Sequence, residues 1–209
     1  MHYYHALESV HRQRGGEWVA CQEIAAPLHL DDSQVRRDLG RIGLRGHPRR
    51  GFEYASTSQA IRRLLGLDRT WSAVIIGLGR LGSALASYGG FSTYGLNVVG
   101  LFDSDLNKQG RLYPYEPVQH VAWLPRFLTA NRVDIGIIAV PAAEAQQVAD
   151  TLVAGNVKAI WNFAPTNLTV PPDVFVRNEH LSVGLGELMF FLKGAQDGSP
   201  PSAGESMPR

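Results

Sequence analysis

A glycine-rich segment in the middle of the chain constrains its fold more than any other stretch. Three apolar residues that favour β-strands, Val74–Ile76, run directly into a G-x-G-x-x-G pattern formed by Gly77, Gly79 and Gly82, and residues suited to a helix follow. This order predicts a strand, a tight turn and a helix. In such a unit the first glycine permits the sharp exit from the strand, the second lets a pyrophosphate approach the backbone, and the third lets the helix pack on the strand.

An acidic residue follows about 20 positions after these glycines, which is the spacing that a dinucleotide fingerprint requires. It is Asp103, and it ends the apolar run Tyr94–Phe102, which is typical of a strand buried on both faces. A carboxylate at this place would accept hydrogen bonds from the adenosine ribose and would repel a 2′-phosphate, so the sequence favours NADH or NAD+ over NADP. The predicted cofactor-binding residues of the glycine segment are Gly77, Leu78, Gly79, Arg80, Leu81 and Gly82.

Beyond Asp103, short apolar runs alternate with helical patterns. Such alternation predicts a doubly wound parallel sheet with right-handed crossovers, the α/β arrangement of a Rossmann domain. Ligands of these sheets bind at the carboxyl ends of the strands, so Val140, Pro141, Asn162 and Phe163 should border the same cleft and bind the cofactor. The predicted elements are strands within 134–141, 157–165 and 174–178, helices over 121–129 and 142–152, and a polar loop over 106–119.

The charge of the chain is unevenly distributed. Residues 1–69 carry 11 Arg against 8 acidic residues, whereas residues 70–209 carry 9 basic against 11 acidic residues. Between residues 33 and 63, eight Arg face only Asp38 and Glu53. A basic N-terminal module of this kind indicates a nucleic-acid partner.

The N-terminal region has the helix pattern of a helix-turn-helix. Helices are predicted over residues 3–14 and 19–27, and Asp31 and Gln34 have the spacing of a capping box that would begin a third helix. Gly43 is placed to end this third helix. The apolar residues that would face inward on it are Val35, Leu39 and Ile42.

The opposite face of the third helix is rich in hydrogen-bond donors of the kind that enter a major groove. The segment Arg45–Tyr54 has the glycines and apolar ends of a short hairpin, which would form the wing of a winged helix with a basic tip near phosphates. A linking helix, Ser58–Leu67, would follow, with Leu64 inward and Arg62 outward. The alternative to DNA binding is that the arginines of the third helix and the hairpin form an ordinary solvent-exposed surface. The predicted DNA-binding residues are Gln34, Arg36, Arg37, Arg41, Arg49 and Arg50.

The end of the chain divides into an apolar helix and a polar tail. Residues 184–193 are apolar on most sides of the predicted helix, which would pack either on its own domain or on a partner. The composition of residues 194–209, rich in Gly, Ser, Pro and Ala, predicts a disordered tail.

Several kinds of protein are disfavoured by composition. The single cysteine, Cys21, cannot form an intramolecular disulfide, which fits a reducing compartment. No apolar run approaches the length of a membrane span and the N-terminus lacks a signal-peptide pattern, so we expect a cytoplasmic protein without a membrane partner. The histidines show no metal-ligand spacing, and we expect neither a metal site nor catalytic residues.

The combination of motifs resembles the Rex family of redox-sensing transcriptional repressors, and the likeness runs from about Tyr3 to Leu192. The segments Gln34–Leu39, Val74–Leu85 and Asn162–Pro165 carry it, since V-R-x-D-L and N-F-A-P are specific in combination. The resemblance implies a homodimer that exchanges its C-terminal helices, binds a palindromic operator through its winged helices, and is released by NADH. It also implies that Tyr88 lies close to the nicotinamide.

The resemblance also implies a division of the chain and shows where this chain departs from the family. At positions where the family carries an Arg, an Asp and an aromatic residue that take part in the redox switch, this chain has Ala6, His180 and Leu181. The implied domains are a winged helix over 1–69, a Rossmann domain over 70–180, a dimerisation helix over 181–193 and a tail over 194–209.

Two other functions are compatible with the residues. A small NAD-dependent oxidoreductase with a basic accessory domain would need an acid or base near the nicotinamide, for which His120, His180 and Tyr88 are the candidates. A regulator with an altered cleft could instead bind another nucleotide, such as a CoA derivative.

Overall fold

The structure, a computed structural model, describes residues 1–114 and 116–196 and divides the chain into two compact units. The first unit comprises Met1–Thr70 together with Ser92–Gly95, and the second comprises Trp71–Phe91 and the chain from Leu96 onward. The expected disordered tail lies outside the described residues from position 197.

The first unit is a small helical domain with a two-stranded sheet. Its core consists of apolar residues from all of its helices, and the innermost side chains are Leu7, Ile24, Val35, Leu39 and Phe52. The elements are α1 (His2–Arg14), β1 (Trp18–Val19), α2 (Cys21–Ala25), α3 (Asp32–Arg41), β2 (Phe52–Glu53) and α4 (Tyr54–Leu64), with a 3-10 turn at Ala26–Leu28.

Helix α3 forms where the sequence predicts it, although its first turn differs. Asp31 occupies the N-cap position but its side chain makes no capping hydrogen bond, so the predicted capping box with Gln34 is wrong. The C-terminal end is as predicted, because Gly43 adopts φ +84° and its N–H donates to Gly40 O at 3.0 Å while Leu44 N–H donates to Leu39 O at 3.1 Å.

The wing is smaller than the predicted hairpin. Phe52 pairs with Val19 of β1 rather than with residues 45–47, so the expectation that Val19 begins a helix is wrong. What remains of the hairpin is one antiparallel bridge between His47 and Gly51, closed by a turn in which Arg49 adopts φ +67°. Pairing with β1 leaves the side chains of Val19 and Phe52 almost fully buried, which favours it over pairing within the hairpin.

The linking helix also departs from the prediction. Helix α4 begins at Tyr54 instead of Ser58 and ends at Leu64, whose side chain is 64% exposed rather than inward. Arg62 is half-buried rather than outward, since its guanidinium donates to Tyr4 Oη at 2.8 Å and to Leu67 O at 2.9 Å. These bonds satisfy the arginine against the helical core.

The second unit is built on a seven-stranded, mostly parallel sheet. Its strands are β3 (Trp71–Ile76), β4 (Leu96–Asp103), β5 (Leu112–Tyr113), β6 (Glu116–His120), β7 (Ile135–Ile138), β8 (Ala159–Asn162) and β9 (Phe175–Asn178), in the order β5-β6-β4-β3-β7-β8-β9. Its helices are α5 (Arg80–Ala86), α6 (Leu124–Ala130), α7 (Ala142–Ala154) and α8 (Leu181–Gln196), with 3-10 turns at Gly89–Tyr94, Leu106–Lys108 and Val121–Trp123.

The predicted doubly wound fold is confirmed. When β5 is set aside, the strand order is that of a dinucleotide-binding sheet, in which the direction of winding reverses between β3 and β7. The crevice that opens at this reversal lies at the carboxyl ends of β3, β4 and β7, directly after the glycine segment.

The polar loop predicted over residues 106–119 is wrong. Strands β5 and β6 lie in this segment, and β6 adds to the parallel sheet beside β4 while β5 turns back against β6. Pro117 pairs with Leu112 of β5 and precedes the part of β6, Val118 to His120, that pairs with β4.

The two faces of the sheet are covered unequally. Helices α6 and α7 cover one face with Leu124, Leu128, Ala145 and Leu152, whereas α5 packs on the other. On this second face the far strand β9 leaves Phe175 69% exposed. Helix α8 also exposes its apolar side chains, from Leu185 at 54% to Phe190 at 71%. None of the helices in the described residues is long and apolar enough to cross a membrane.

Candidate functional site

The three glycines of the fingerprint occupy different environments. Gly77 adopts φ +94°, and a Cβ there would overlap the backbone of Ala139, the residue that follows β7. A Cβ on Gly82 would overlap the carbonyl oxygen of Gly77, so this residue must be glycine for α5 to pack on the turn. A Cβ on Gly79 would meet no atom within 4 Å. Two glycines are therefore required by the fold, and the third borders free space.

Asp103 is attached to the glycine turn. Its carboxylate accepts hydrogen bonds from Leu78 N–H at 2.7 Å, from Asp105 N–H at 2.8 Å and from Lys108 Nζ at 2.9 Å. Burial by itself would raise the pKa of Asp103, but the Lys108 ammonium and the two backbone N–H groups outweigh it and lower the pKa below its ordinary value. The carboxylate is therefore ionised and fixed.

A cavity of about 320 Å³ lies between the glycine turn, the end of β4 and the start of α7. Five of the sequence-predicted cofactor residues line it: Gly77, Gly79, Asp103, Val140 and Pro141. Four polar lining residues were not predicted from the sequence: two follow Asp103 directly, one lies in the predicted loop and one lies near the start of the predicted helix over 142–152. These are Ser104, Asp105, Lys108 and Glu144.

Other predicted cofactor residues lie around this cavity rather than on its wall. Leu78 is buried and contributes its backbone N–H to Asp103. Arg80 and Leu81 are exposed on the first turn of α5, whose N-cap is Gly79. The glycine segment thus presents backbone and a helix start to the crevice.

Asn162 is fully buried and uses its side chain to hold the loop that follows β8. Its Nδ2 donates to Thr166 O and to Asn178 Oδ1, both at 2.8 Å, and its Oδ1 accepts from Ala164 N–H at 3.0 Å. The amide is satisfied within the protein, so Asn162 shapes the rim of the crevice through the loop.

Four aromatic rings form a continuous row beside α5 and β8. Tyr88, which is 57% exposed, meets the ring of Phe91 with 5.1 Å between centroids. Phe91 meets Trp161 at 6.0 Å, and Trp161 meets Phe163 at 4.9 Å. The row joins two of the predicted cofactor residues, Tyr88 and Phe163, through two residues that sequence analysis did not single out.

The predicted DNA-binding residues of α3 are all exposed, with Gln34, Arg37 and Arg41 on one face and Arg36 beside it. Arg36 lies 3.4 Å from Asp32 and Arg41 lies 3.1 Å from Asp38, and both guanidinium groups remain largely exposed. Surface pairs of this kind contribute little to stability, so both cations remain available to a polyanion.

Arg49 and Arg50 are exposed at the turn of the wing. Arg50 stacks over the ring of Trp18 at 5.7 Å, which orients it without neutralising its charge. A groove of about 540 Å³ separates this turn from the start of α3 and is lined by Arg36 on one side and Arg49 on the other. The first unit therefore has a cationic groove beside its third helix.

Helix α3 is anchored from behind by α1. Tyr3 Oη donates to Asp38 Oδ2 at 2.7 Å, and burial together with this carboxylate raises the pKa of Tyr3 to about 12. A second network ties α1 to α4, where Glu8 accepts from Tyr54 at 3.0 Å and from Ser58 at 2.9 Å. These bonds fix the orientation of the exposed face.

The residues at which the chain departs from the family pattern lie in different places. Ala6 is buried in the helical core at 5% exposure, and His180 is exposed just before α8. Leu181 is the first residue of α8.

Of the oxidoreductase candidates, His120 accepts a hydrogen bond from Ala122 N–H through Nδ1. Within residues 1–114 and 116–196, no three His, Cys, Asp or Glu side chains are grouped to hold a metal.

Comparisons with known proteins agree with the geometry. The family model described as a CoA binding domain matches residues 68–166. The redox-sensing transcriptional repressor Rex of Streptomyces avermitilis is 40% identical over 96% of this chain and 82% of that protein. The protein of the same name from Carboxydothermus hydrogenoformans is 41% identical over 91% of each chain.

Solved structures extend the likeness to the whole fold. The crystal structure of RSP, a Rex-family repressor, is 34% identical and superposes with a TM-score of 0.82 over 93% of this chain and 90% of that one. The crystal structure of RSP in complex with β-NAD+ and operator DNA gives a TM-score of 0.86 at 34% identity, covering 94% of this chain and 90% of that one. The resemblance inferred from sequence is confirmed, and the chain belongs to the Rex family of redox-sensing transcriptional repressors.

Proposed function

We propose that this protein is a repressor that binds palindromic operator DNA and is released when NADH binds its Rossmann domain. The observation that carries the proposal is the open space over Gly79. At Gly77 and Gly82 an added Cβ would overlap protein atoms, whereas Gly79 has no neighbour within 4 Å of such a Cβ and lines the same cavity as Asp103. The Rex-family structure of RSP in complex with β-NADH, at a TM-score of 0.83 and 33% identity, supports the choice of ligand.

In this proposal the backbone of the glycine turn holds the pyrophosphate. Helix α5 begins directly after Gly79, and the N–H groups of its first turn would favour a negative charge there. Asp103 and Lys108 receive the adenosine ribose, since one accepts and the other donates hydrogen bonds. Val140 and Pro141 bound the cavity from the β7 side. Binding of NADH would make the protein respond to a reduced state of the cell.

The nicotinamide half of NADH lies beyond the point where the winding of the sheet reverses, on the side of β7 and β8. There Tyr88 and Phe163 offer aromatic surface, because the first is exposed and the second is half-buried at the end of the aromatic row. We assign the nicotinamide contact to these residues. Asn162 keeps the Phe163 loop in place.

The DNA site comprises the exposed face of α3 and the wing. Gln34, Arg36 and Arg37 would reach base edges in the major groove, and Arg41 would add to them at the other end of the helix. Arg49 and Arg50 would contact phosphates, and this part of the affinity would fall with salt.

A homodimer completes the operator site, because a palindrome presents two equivalent half-sites. Helix α8 and the open sheet face near Phe175 are both apolar and exposed, which supports helix exchange between two copies. The proposed division is a winged helix over 1–69, a Rossmann domain over 70–180 and a dimerisation helix that begins at 181. As a DNA-bound regulator the protein would act in the cytoplasm and would bind NADH without turnover.

The proposed control is a linkage between two ligands. If NADH binds better to the form that does not bind DNA, operator DNA must weaken NADH by the same factor. We expect this factor to lie within about 5- to 150-fold, the usual range of coupling between sites.

The test is operator affinity, measured by fluorescence anisotropy with NADH, with NAD+ and with neither. We expect NADH to weaken binding and NAD+ to do so less. CoA is the control ligand, because the matching family model is described as a CoA binding domain. An effect of CoA without an effect of NADH would favour the other nucleotide, and consumption of NADH without a change in DNA affinity would favour an enzyme.

A further inference from the structure

The end of β8 is tied directly to the residues that lead into α8. Glu179 N–H donates to the carbonyl oxygen of Asn162 at 2.8 Å, and the indole Nε1 of Trp161 donates to Glu179 Oε1 at 3.1 Å. The side chain of Asn162 also holds Asn178 at 2.8 Å. Two consecutive residues of β8 therefore hold the two residues that precede His180 and the helix.

Trp161 also belongs to the aromatic row on the α5 side of the sheet. Its neighbour Ile160 is buried in the core under α6 and α7, so the alternation of side chains along a strand directs Trp161 to the opposite face. There its ring contacts Phe91 and Phe163, and Phe91 contacts Tyr88. A continuous series of contacts thus runs from the exposed ring of Tyr88 to the carboxylate of Glu179.

Glu179 is held by two donors on the same oxygen. Arg177 Nε lies 3.0 Å from Oε1, which also accepts the Trp161 indole. The Arg177 bond, partly opposed by burial, holds the pKa of Glu179 below its ordinary value. The side chain stays charged and cannot leave Trp161 without losing a charge-assisted hydrogen bond.

We propose that Trp161 and Glu179 are positioning residues that couple occupation of the nicotinamide half of the cleft to the placement of α8. This inference rests on the proposed function and names the regulation of the same site. A ligand that displaces Phe163 also shifts Trp161, because the two half-buried rings lie 4.9 Å apart and packed rings move together rather than compress. Since the indole is bonded to Glu179, the shift reaches the residues that set the direction of α8.

The experiment measures NADH affinity and operator affinity in the full-length protein carrying Trp161→Phe, Glu179→Ala, or both. Trp161→Phe keeps a ring against Phe91 and Phe163 but removes the indole N–H. We expect each single variant to bind NADH within about threefold of wild type in the absence of DNA. The effect of NADH on operator affinity should fall by at least about fivefold, the lower end of ordinary coupling between sites.

The losses of coupling in Trp161→Phe and Glu179→Ala should not be additive in the double variant, because each substitution breaks the same hydrogen bond. Glu179→Gln should keep most of the coupling, since its amide oxygen still accepts from the indole. Trp123→Phe, at an exposed tryptophan that stacks with Arg126 at 5.5 Å, is the matched control and should couple as wild type does.

Two results would overturn the inference while leaving the proposed function in place. One is wild-type coupling in Trp161→Phe and Glu179→Ala. The other is a loss of NADH affinity large enough to account for the whole change, which would place the two residues in ligand binding. If NADH leaves the operator affinity of the wild type unchanged, the proposed function fails and this inference fails with it.

Discussion

The backbone N–H of Leu78 lies 2.7 Å from Oδ2 of Asp103 and joins the glycine turn after β3 to the acidic end of β4. The two parts of the dinucleotide fingerprint, 25 residues apart in sequence, are therefore joined by a hydrogen bond within the protein. A second bond, from Gly77 N–H to Phe102 O at 2.8 Å, reinforces it. Such preorganisation reduces the ordering cost of binding.

Asp103→Asn tests this unit through the pH dependence of stability. The folded pKa lies below the ordinary value of 3.8, so the carboxylate stabilises the fold above that pH, and the contribution is lost as pH falls through the folded pKa. We expect the variant to be less stable at pH 7 by about 2 kcal/mol, because Lys108 and the backbone donors lose a charged acceptor. Urea unfolding at pH 7 and below pH 3.8 measures the difference in the free energy of unfolding between wild type and variant, and this difference should become smaller in acid. An unchanged difference would show that the carboxylate is not favoured by the fold.

Gly79→Val tests the open position in the turn. A Cβ there meets no protein atom within 4 Å, so the thermal midpoint should stay within about 2 °C. The NADH affinity should fall at least about tenfold, because the side chain fills the approach of the pyrophosphate. Gly89→Val is the matched control, since a Cβ there also meets nothing within 4 Å. Calorimetric titration measures the affinities. Equal NADH binding by both variants would contradict the assignment of the pyrophosphate to this turn.

Arg36→Ala combined with Arg37→Ala tests the DNA face. We expect operator binding to become at least about 30-fold weaker, since a specific base contact contributes about 1–3 kcal/mol, and the salt slope to fall by about one for each phosphate contact removed. Arg111→Ala with Arg126→Ala, two exposed arginines of the second unit, removes the same charge as a control. Sequence-specific binding that survives in the first pair would contradict the assignment of α3 as the recognition helix.

Tyr3→Phe tests the support behind α3. Loss of the hydrogen bond to Asp38 should cost about 1 kcal/mol at pH 8. Because the folded pKa of Tyr3 is raised from 10.0 to about 12, its contribution is present below pH 10.0 and is lost as pH rises towards 12. Chemical unfolding of both proteins at pH 8 and pH 11 should show the gap closing. A gap that widens at pH 11 would contradict the bond to Asp38.

Leu188→Asp with Phe191→Asp tests helix α8 as the dimer element. Both side chains are more than half exposed, at 63% and 54%, so charges there would not unfold a monomer but would oppose burial against a second copy. We expect sedimentation to show a monomer and operator affinity to fall. Asp150→Leu, at an exposed position of α7, is a control for surface change. Persistence of the dimer would place the interface elsewhere.

Sequence predicted the central part of both units because the signals there are local. The glycine pattern, the apolar run before Asp103 and the stripe on α3 each follow from residue size and periodicity along one segment. The family resemblance added the function, since V-R-x-D-L and N-F-A-P combine in one chain.

The errors lie where distant segments compete for a partner. Phe52 could pair within the wing or with Val19, and burial of both side chains decided for Val19. The polar segment 106–119 became two strands because β4 offered a free side to Val118 and its neighbours. Leu64, the last residue of α4, is exposed, whereas Ile61 one turn earlier is buried in the helical core.

The sequence by itself determined that a basic helical unit precedes a dinucleotide-type sheet and which glycines mark its turn. Only the tertiary structure decided that Lys108 pairs with Asp103, that Asn162 is turned inward, and that Trp161 reaches Glu179. The physical reason is that periodicity records which face of an element is buried, whereas a hydrogen bond between side chains depends on how separate strands are placed side by side.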